Sequence, residues 1–414
     1  MYVLMLALWN PYMGLDLTAL GRQVRQMSHT AAADAASSAA RAAAMRERML
    51  TEVGAEAHWA QAVDLSRETA AWLLARPVEP LDTVVDLPPL PPAYSLVATD
   101  GSQIELDRHG AIPCYVINIG QVFLRYGQAP TARLTSQPTL CYHDEDLYLH
   151  DGARRIPIEG NYLSARRDVD EGLALAALAA EHLDGSLPAV ALQDGTLVRW
   201  TLAGAERVVQ DHFMSQYLDY LEQMRQRQIP VASYISRPRS PELVGSIRLM
   251  LCPDVDVAAG RGARCDRCSD QRAGRTPSCQ PCQGLVDSDI MGERLRDGQR
   301  GPILLSMSRI NVERYGPHQI HFFHMRVGRE LCRVEMPQWV AQQAQFVDQV
   351  HTLVYDQCAR GGGYPVALAR AHEQAIVRSA DRRAFQRLIE SSLYRAEAPG
   401  GVSAKRESKE FSRG

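Results

Sequence analysis

The chain has 414 residues, 46% of them hydrophobic and 22% charged, the balance of a soluble globular protein with one large domain plus additions, or a few domains. A net charge of −3 excludes a globally basic nucleic-acid coat protein, while leaving room for positive charge concentrated locally. The apolar start, Met1 to Trp9, is too short for a bilayer and lacks a basic n-region and a small-residue cleavage site, so neither a signal peptide nor a membrane span is expected.

Residues from about 15 to 77 are rich in Ala, Arg, Glu and Leu without internal proline, which predicts two or three helices in an N-terminal region, 1–77. Proline and acidic residues crowd into 78–93, an extended linker. Strand patterning follows: Ser95 to Thr99 ends at Asp100-Gly101-Ser102, then Cys114 to Arg125 and Ala132 to Tyr142 form a meander that Leu147 to His150 and Arg155 to Pro157 extend. The next helix has Ser164 as N-cap and Val169, Leu173, Ala176 and Ala180 on one face.

Strand Ala189 to Gln193 ends at Asp194-Gly195-Thr196. Helix Ala205 to Arg227, strand Pro230 to Ile235 and a helix over 240–252 come next. Beyond a polar, Cys-rich insertion at 261–285, strands are expected at Ile303 to Met307, Ile320 to Val327 and Glu330 to Val334. A helix from Trp339 to Arg360 and another carrying His372 follow, and the tail 396–414 is read as disordered. A meander followed by right-handed crossover units suits an α/β, ribonuclease H-like mixed sheet with flanking helices over 94–395.

Asp100 and Asp194 each close an apolar strand and precede Gly and a hydroxyl residue. One Asp-Gly after a strand is a turn; two in equivalent settings are candidate ligands for the divalent metals that activate water in phosphodiester cleavage. The intervening helix runs antiparallel to the second strand, so its first half lies near the acids. This favours Glu171 as third carboxylate, with Asp168 and Asp170 as alternatives and Glu181 toward the opposite edge. Arg237 and Arg239 follow a strand and precede a helix, a position suited equally to phosphate contacts and to structural ion pairs. Tyr364 offers a face for base stacking, or a rigid helix start after three glycines.

Ala98-Thr99-Asp100-Gly101-Ser102, Leu192-Gln193-Asp194-Gly195-Thr196-Leu197, Ser233-Tyr234-Ile235-Ser236-Arg237, and Gly363-Tyr364-Pro365 with His372 in Ala-His-Glu resemble, in that order, the NurA nuclease family. The similarity runs from about residue 94 to about 390. It implies a ribonuclease H-like fold and Mn²⁺-dependent (or Mg²⁺-dependent) single-strand endonuclease and 5′-to-3′ exonuclease activity. It also implies a dimer that works with the hexameric HerA translocase in DNA end processing and double-strand break repair. By the same resemblance Asp100, Asp194 and an intervening glutamate hold metal, and His372 is a further ligand or acts at the scissile phosphate. The spacing from glutamate to second aspartate is longer than in archaeal members, which leaves Glu171 against Glu181 open; the helical N-terminus and the Cys-rich insertion are not general features of those members. A non-catalytic DNA-binding adaptor and an enzyme acting on RNA are the rival readings.

Cys265-x2-Cys268 and Cys279-x2-Cys282 supply four thiolates in the pattern of a structural zinc site, with an iron–sulfur cluster as the alternative. The other cysteines, Cys114, Cys141, Cys252, Cys332 and Cys358, stand singly among apolar neighbours, which points to a reducing compartment, the cytoplasm. Arg261, Arg264, Arg267, Arg272 and Arg275 make the insertion a basic knob for DNA or an acidic partner, or a solvated loop.

Overall fold

A nine-stranded mixed sheet organises the chain. The computed structural model describes residues 16–106 and 112–396, so the expectations for Met1 to Trp9 and for the tail beyond residue 396 lie outside the described residues. Its strands are β1 (Ala75–Pro77), β2 (Tyr94–Ile104), β3 (Tyr115–Tyr126), β4 (Thr131–Cys141), β5 (Tyr148–Asp151), β6 (Arg154–Pro157), β7 (Ala189–Asp194), β8 (Val231–Ser236), β9 (Leu304–Ser306), β10 (Ile320–Val327) and β11 (Glu330–Pro337). The large sheet runs β1-β9-β10-β11-β8-β7-β2-β3-β4. Strands β2 to β4 are the antiparallel meander, and β2, β7 and β8 are parallel. Helices Asn161–His182 and Arg207–Gln226 supply the crossovers, the meander-then-crossover order that the sequence predicts. Val190, Ala191 and Leu192 of β7 are fully buried, as a central parallel strand covered on both faces requires.

Several elements differ from expectation for physical reasons. Strand β2 does not stop at Asp100 but continues to Ile104, because β3 pairs with it along its whole length. Strands β5 and β6 leave the meander and form their own two-stranded sheet. The helix with Glu171 starts at Asn161 after Gly160 (φ +57°), and Ser164 lies inside it, bonded back to the Gly160 carbonyl at 3.2 Å. Its buried face is also wider than one stripe, because the Arg207–Gln226 helix packs on it so closely that a Cβ on Gly172 would lie 2.4 Å from Tyr220. The helix expected from Trp339 breaks into Gln338–Ala341 and Ala344–Arg360.

The N-terminal region forms two helices, Leu17–Leu50 and Glu56–Ser66, and then β1, which pairs with β9 at the sheet edge. Ala42, Met45 and Met49 of the long helix enter a second apolar core with Trp59, Val63 and Ile247. Residues 78–93 are extended yet docked, with Leu81 fully buried and Val85 bridging to Arg300. No described helix is long and apolar enough to cross a membrane.

Candidate active site

Strands β2 and β7 pair in parallel from Ser95 opposite Ala189 to Thr99 opposite Gln193. The next residues, Asp100 and Asp194, therefore stand side by side on neighbouring strands, whose axes are about 4.8 Å apart. There the two strands part: β7 turns away through Gly195 (φ +72°), a left-handed conformation that glycine adopts at little cost, while β2 continues along β3. Each aspartate accepts the N–H of the glycine after it, Gly101 or Gly195, through Oδ1 at 2.8 Å.

Glu171 reaches the same place from the neighbouring helix and is buried. Its Oε1 accepts a hydrogen bond from Arg167 Nε at 3.1 Å, and its carbonyl accepts one from the Thr99 hydroxyl at 3.0 Å. A Cβ on Gly101 would lie 2.4 Å from Glu171 Oε1 and 2.9 Å from its Cγ, so the missing side chain makes room for the carboxylate. Burial, and then the neighbouring Asp168 carboxylate, push the Glu171 carboxyl well above the usual carboxylate range. Asp168 takes Arg167 Nη2 at 3.1 Å and pairs with the buried Arg199 at 3.0 Å; the Arg199 guanidinium lies 4.7 Å from the Tyr217 ring centre. Asp100, Arg167, Asp168, Glu171, Asp194 and Arg199 line one open cleft of about 290 Å³.

His372 comes from the helix Val366–Ala375, which lies across β2 and β3. That helix sits close because β3 has Gly120, where a Cβ would fall 2.1 Å from the Ala371 carbonyl oxygen. The side chains of Asn118 and Ser102 donate to the Ala375 carbonyl, the former at 2.8 Å, and secure the end of the helix. Nδ1 of His372 lies 2.8 Å from Asp100 Oδ2. Tyr364, half-buried, packs edge-on against Tyr234 at 5.5 Å between ring centres. Burial, and next the Asp194 charge, raise the Tyr364 phenol, so it stays protonated as a donor beside Asp194.

Other candidates lie elsewhere. Asp170 pairs with Arg166 at 3.0 Å, and Glu181 is 68% exposed next to His182. Arg237 and Arg239 face a separate groove of about 960 Å³ behind the Gly362-Gly363 turn, where Arg237 has φ +45° and contacts Glu330 at 3.3 Å. Sequence reasoning missed Arg167 and Arg199. The i,i+4 spacing of Arg167 and Glu171 was a usable signal for the first, whereas nothing local marks Arg199 as buried.

The profile of the NurA domain matches residues 94–377, more than half of the chain, beginning at β2 and ending just past the helix of His372. The chain belongs to the NurA family of nucleases. No curated protein matches it in sequence. Among solved structures it is similar to LC9-RNase H1, described as a type 1 RNase H with the type 2 active-site motif, at 13% identity and a TM-score of 0.19, over 35% of this chain and 64% of that one. It is also similar to Drosophila Piwi, at 11% identity and a TM-score of 0.25, over 68% of this chain and 29% of that one.

Among the described residues of this NurA chain, no three His, Cys, Asp or Glu side chains are arranged around a common point as a ready metal cage. At the cleft the donor chemistry nonetheless fits a hard cation: carboxylates gather there beside a glycine whose missing Cβ leaves them space, with oxygens engaged by Arg167 and His372. In the insertion, Cys265 and Cys268 lie at one short helical turn and Cys279 and Cys282 at another. Cys282 is buried and places Sγ 3.4 Å from Met45 Sδ of the long N-terminal helix. That helix also binds the segment through Arg41, whose Nη1 donates to the Gln283 carbonyl at 2.5 Å, so the insertion is fastened to the second core.

Proposed function

We propose that this chain is a Mn²⁺-dependent (or Mg²⁺-dependent) DNA nuclease with single-strand endonuclease and 5′-to-3′ exonuclease activity, serving DNA end processing and double-strand break repair. The observation that carries this reading is the convergence of Asp100, Glu171 and Asp194, from two strands and a helix, with His372 bonded to Asp100. Asp100, Glu171 and Asp194 would hold the cation. When bound, it supplies an activated water and relief of charge on the leaving oxygen. The chain's own part is orientation and proton handling. Asp100 fixes the His372 ring through Nδ1, which leaves Nε2 to move a proton at the scissile phosphate. Tyr364 donates from its protonated phenol, and Arg167 sets a guanidinium opposite the phosphate oxygens. Arg237 and Arg239 contact phosphates further along the strand, and Tyr364 stands where a terminal base arrives.

The test is cleavage of end-labelled single- and double-stranded DNA and RNA with Mn²⁺ and with excess chelator. Metal-dependent DNA cleavage is expected. Cleavage of RNA alone would move the reading to a ribonuclease, and binding without cleavage would favour an adaptor.

The family also supports a homodimer docked on a HerA-type hexameric ATPase in the cytoplasm, with the N-terminal helices providing one contact surface. For the insertion we propose one structural Zn²⁺ held by Cys265, Cys268, Cys279 and Cys282. Elemental analysis should find one zinc per chain, lost in the Cys265→Ser/Cys279→Ser double variant, with cleavage reduced less than by an active-site change. An iron–sulfur absorption band, or protein free of zinc, would overturn the assignment.

A further inference from the structure

Beside the Cys-rich segment, Arg261, Arg264, Arg267 and Arg272 line an open cavity of about 600 Å³. Its floor is rigid. A Cβ on Gly262 would fall 2.2 Å from the Leu65 carbonyl oxygen, the Ala263 N–H donates to Ser66 Oγ at 2.9 Å, and the Thr69 hydroxyl donates to the Ala263 carbonyl at 2.6 Å. Arg261 is paired with Asp256 at 2.6 Å. The other three are not satisfied in this way: none of the Arg264, Arg267 and Arg272 guanidinium groups donates a hydrogen bond to a described residue. Arg264 and Arg267 share one carboxylate, Asp266, at 3.8 and 3.4 Å, and Arg272 forms no ion pair with a described residue. The acid that lines the cavity, Asp254, accepts the Ser269 N–H at 3.0 Å.

Three guanidinium groups with unspent donors around one concavity match the oxygens of successive phosphates. No aromatic side chain lines the cavity, so it has neither a stacking platform for bases nor the buried aromatic anchor on which protein interfaces depend. The ligand is thus recognised through its backbone alone. The helix Glu56–Ser66, against which the cavity is built, packs on β1, and five strand steps separate β1 from β7. At about 4.8 Å per step β1 and β7 are roughly 25 Å apart across the sheet, so the cavity lies on the side of the sheet away from the acidic cleft.

The geometry points to an anchoring site for the sugar–phosphate backbone of a nucleic-acid strand, separate from the acidic cleft and indifferent to base sequence. This rests on the nuclease reading for its role, though not for its binding. A strand must cross at least this separation to occupy both places, which a long oligomer can do and a very short one cannot. A long substrate is therefore held at two places at once, whereas a short one occupies one at a time.

The experiment is fluorescence anisotropy in chelator with oligothymidylates of about 30 and about 4 nucleotides, repeated across salt concentrations. The Arg264→Glu/Arg267→Glu/Arg272→Glu variant should bind the long oligomer at least about tenfold more weakly. For the triple Arg→Gln variant the slope of log affinity against log salt should shrink by about 2, which is roughly 0.7 for each lost phosphate contact. In a separate Mn²⁺ assay, cleavage of the short oligomer should match the wild type while cleavage of the long one falls. Arg272→Gln alone keeps the assay decisive if the charge reversal unfolds the segment, with an expected slope change of about 0.7. Unchanged binding of the long oligomer, or an equal loss of Mn²⁺-dependent cleavage for both lengths, overturns the proposal. So does a loss confined to a polyglutamate probe, which would mark an acidic protein as the partner. Wild-type protein that binds the long oligomer through these arginines but cleaves nothing would keep this site and sink the nuclease reading.

Discussion

Asp100→Asn and Asp194→Asn are each expected to lose more than about a hundredfold of cleavage while the protein stays folded. Removing a hydrogen-bond partner behind a metal ligand already costs about 10–100-fold, and these changes remove a proposed ligand itself. Asparagine retains the Oδ1 acceptor that takes the Gly101 or Gly195 N–H, and it suits the turn as well as aspartate does, so the strand ends should persist. What it loses is the charge that attracts a cation and, at residue 100, the anionic partner of His372 Nδ1. Glu171→Gln should behave like the aspartate variants, whereas Glu181→Gln should be silent, since Glu181 is 68% exposed and remote from the cleft. Single-turnover cleavage at saturating Mn²⁺, with thermal unfolding alongside, measures both quantities. A wild-type rate in Asp100→Asn would sink the mechanism and leave the two Asp-Gly pairs as turns.

The strand ends were legible because Asp100 and Asp194 repeat one local pattern, an apolar run closed by Asp-Gly. Parallel pairing of β2 with β7 then brings the two together, as the meander-and-crossover order implies. Helix direction favoured Glu171 over Glu181, a choice that the family spacing left open. Periodicity could not show partners. The same alternation produces strands in the main sheet and in the separate β5–β6 hairpin. Ser102 and Gln103 have little strand character of their own; β3 recruits them into β2. Charged residues are harder still, because Arg199 and Arg333 look like any surface arginine until distant chain segments enclose them. The long helix docks on the Cys-rich segment through Arg41 and Gln283, a contact between residues far apart in sequence that no local window reveals.

Arg333→Met should be the most destabilising single change, by about 3–5 kcal/mol, the usual cost of breaking a buried ion pair. Arg333 on β11 is 2% exposed and donates to Glu335 Oε1 at 2.8 Å and to Glu242 Oε1 at 2.9 Å, with its guanidinium 3.5 Å from the Phe322 ring centre. Glu335 in turn uses Oε2 to accept the Leu197 N–H at 2.7 Å and the Thr196 hydroxyl at 2.9 Å. The network thus fixes the loop immediately after Asp194, and cleavage should fall along with stability. Methionine fills the volume but leaves two carboxylates buried without a cation. Burial already raises Glu242 in the native protein, with Arg333 opposing it. Without the arginine the Glu242 carboxyl would have a folded-state pKa further above its unfolded value, near 4.3. At Glu242 the folded variant then binds more protons than the unfolded chain once pH exceeds the unfolded pKa, so its stability must decline as pH rises from there toward the folded value. Urea unfolding at pH 5 and pH 8 should therefore show a larger deficit at pH 8. Adding Glu242→Gln and Glu335→Gln should recover part of it, because the amides can stay neutral. A deficit below about 1 kcal/mol at both pH values, in the range of an exposed pair, would mean that these charges are solvated and that Glu335 does not hold the Asp194 loop through them.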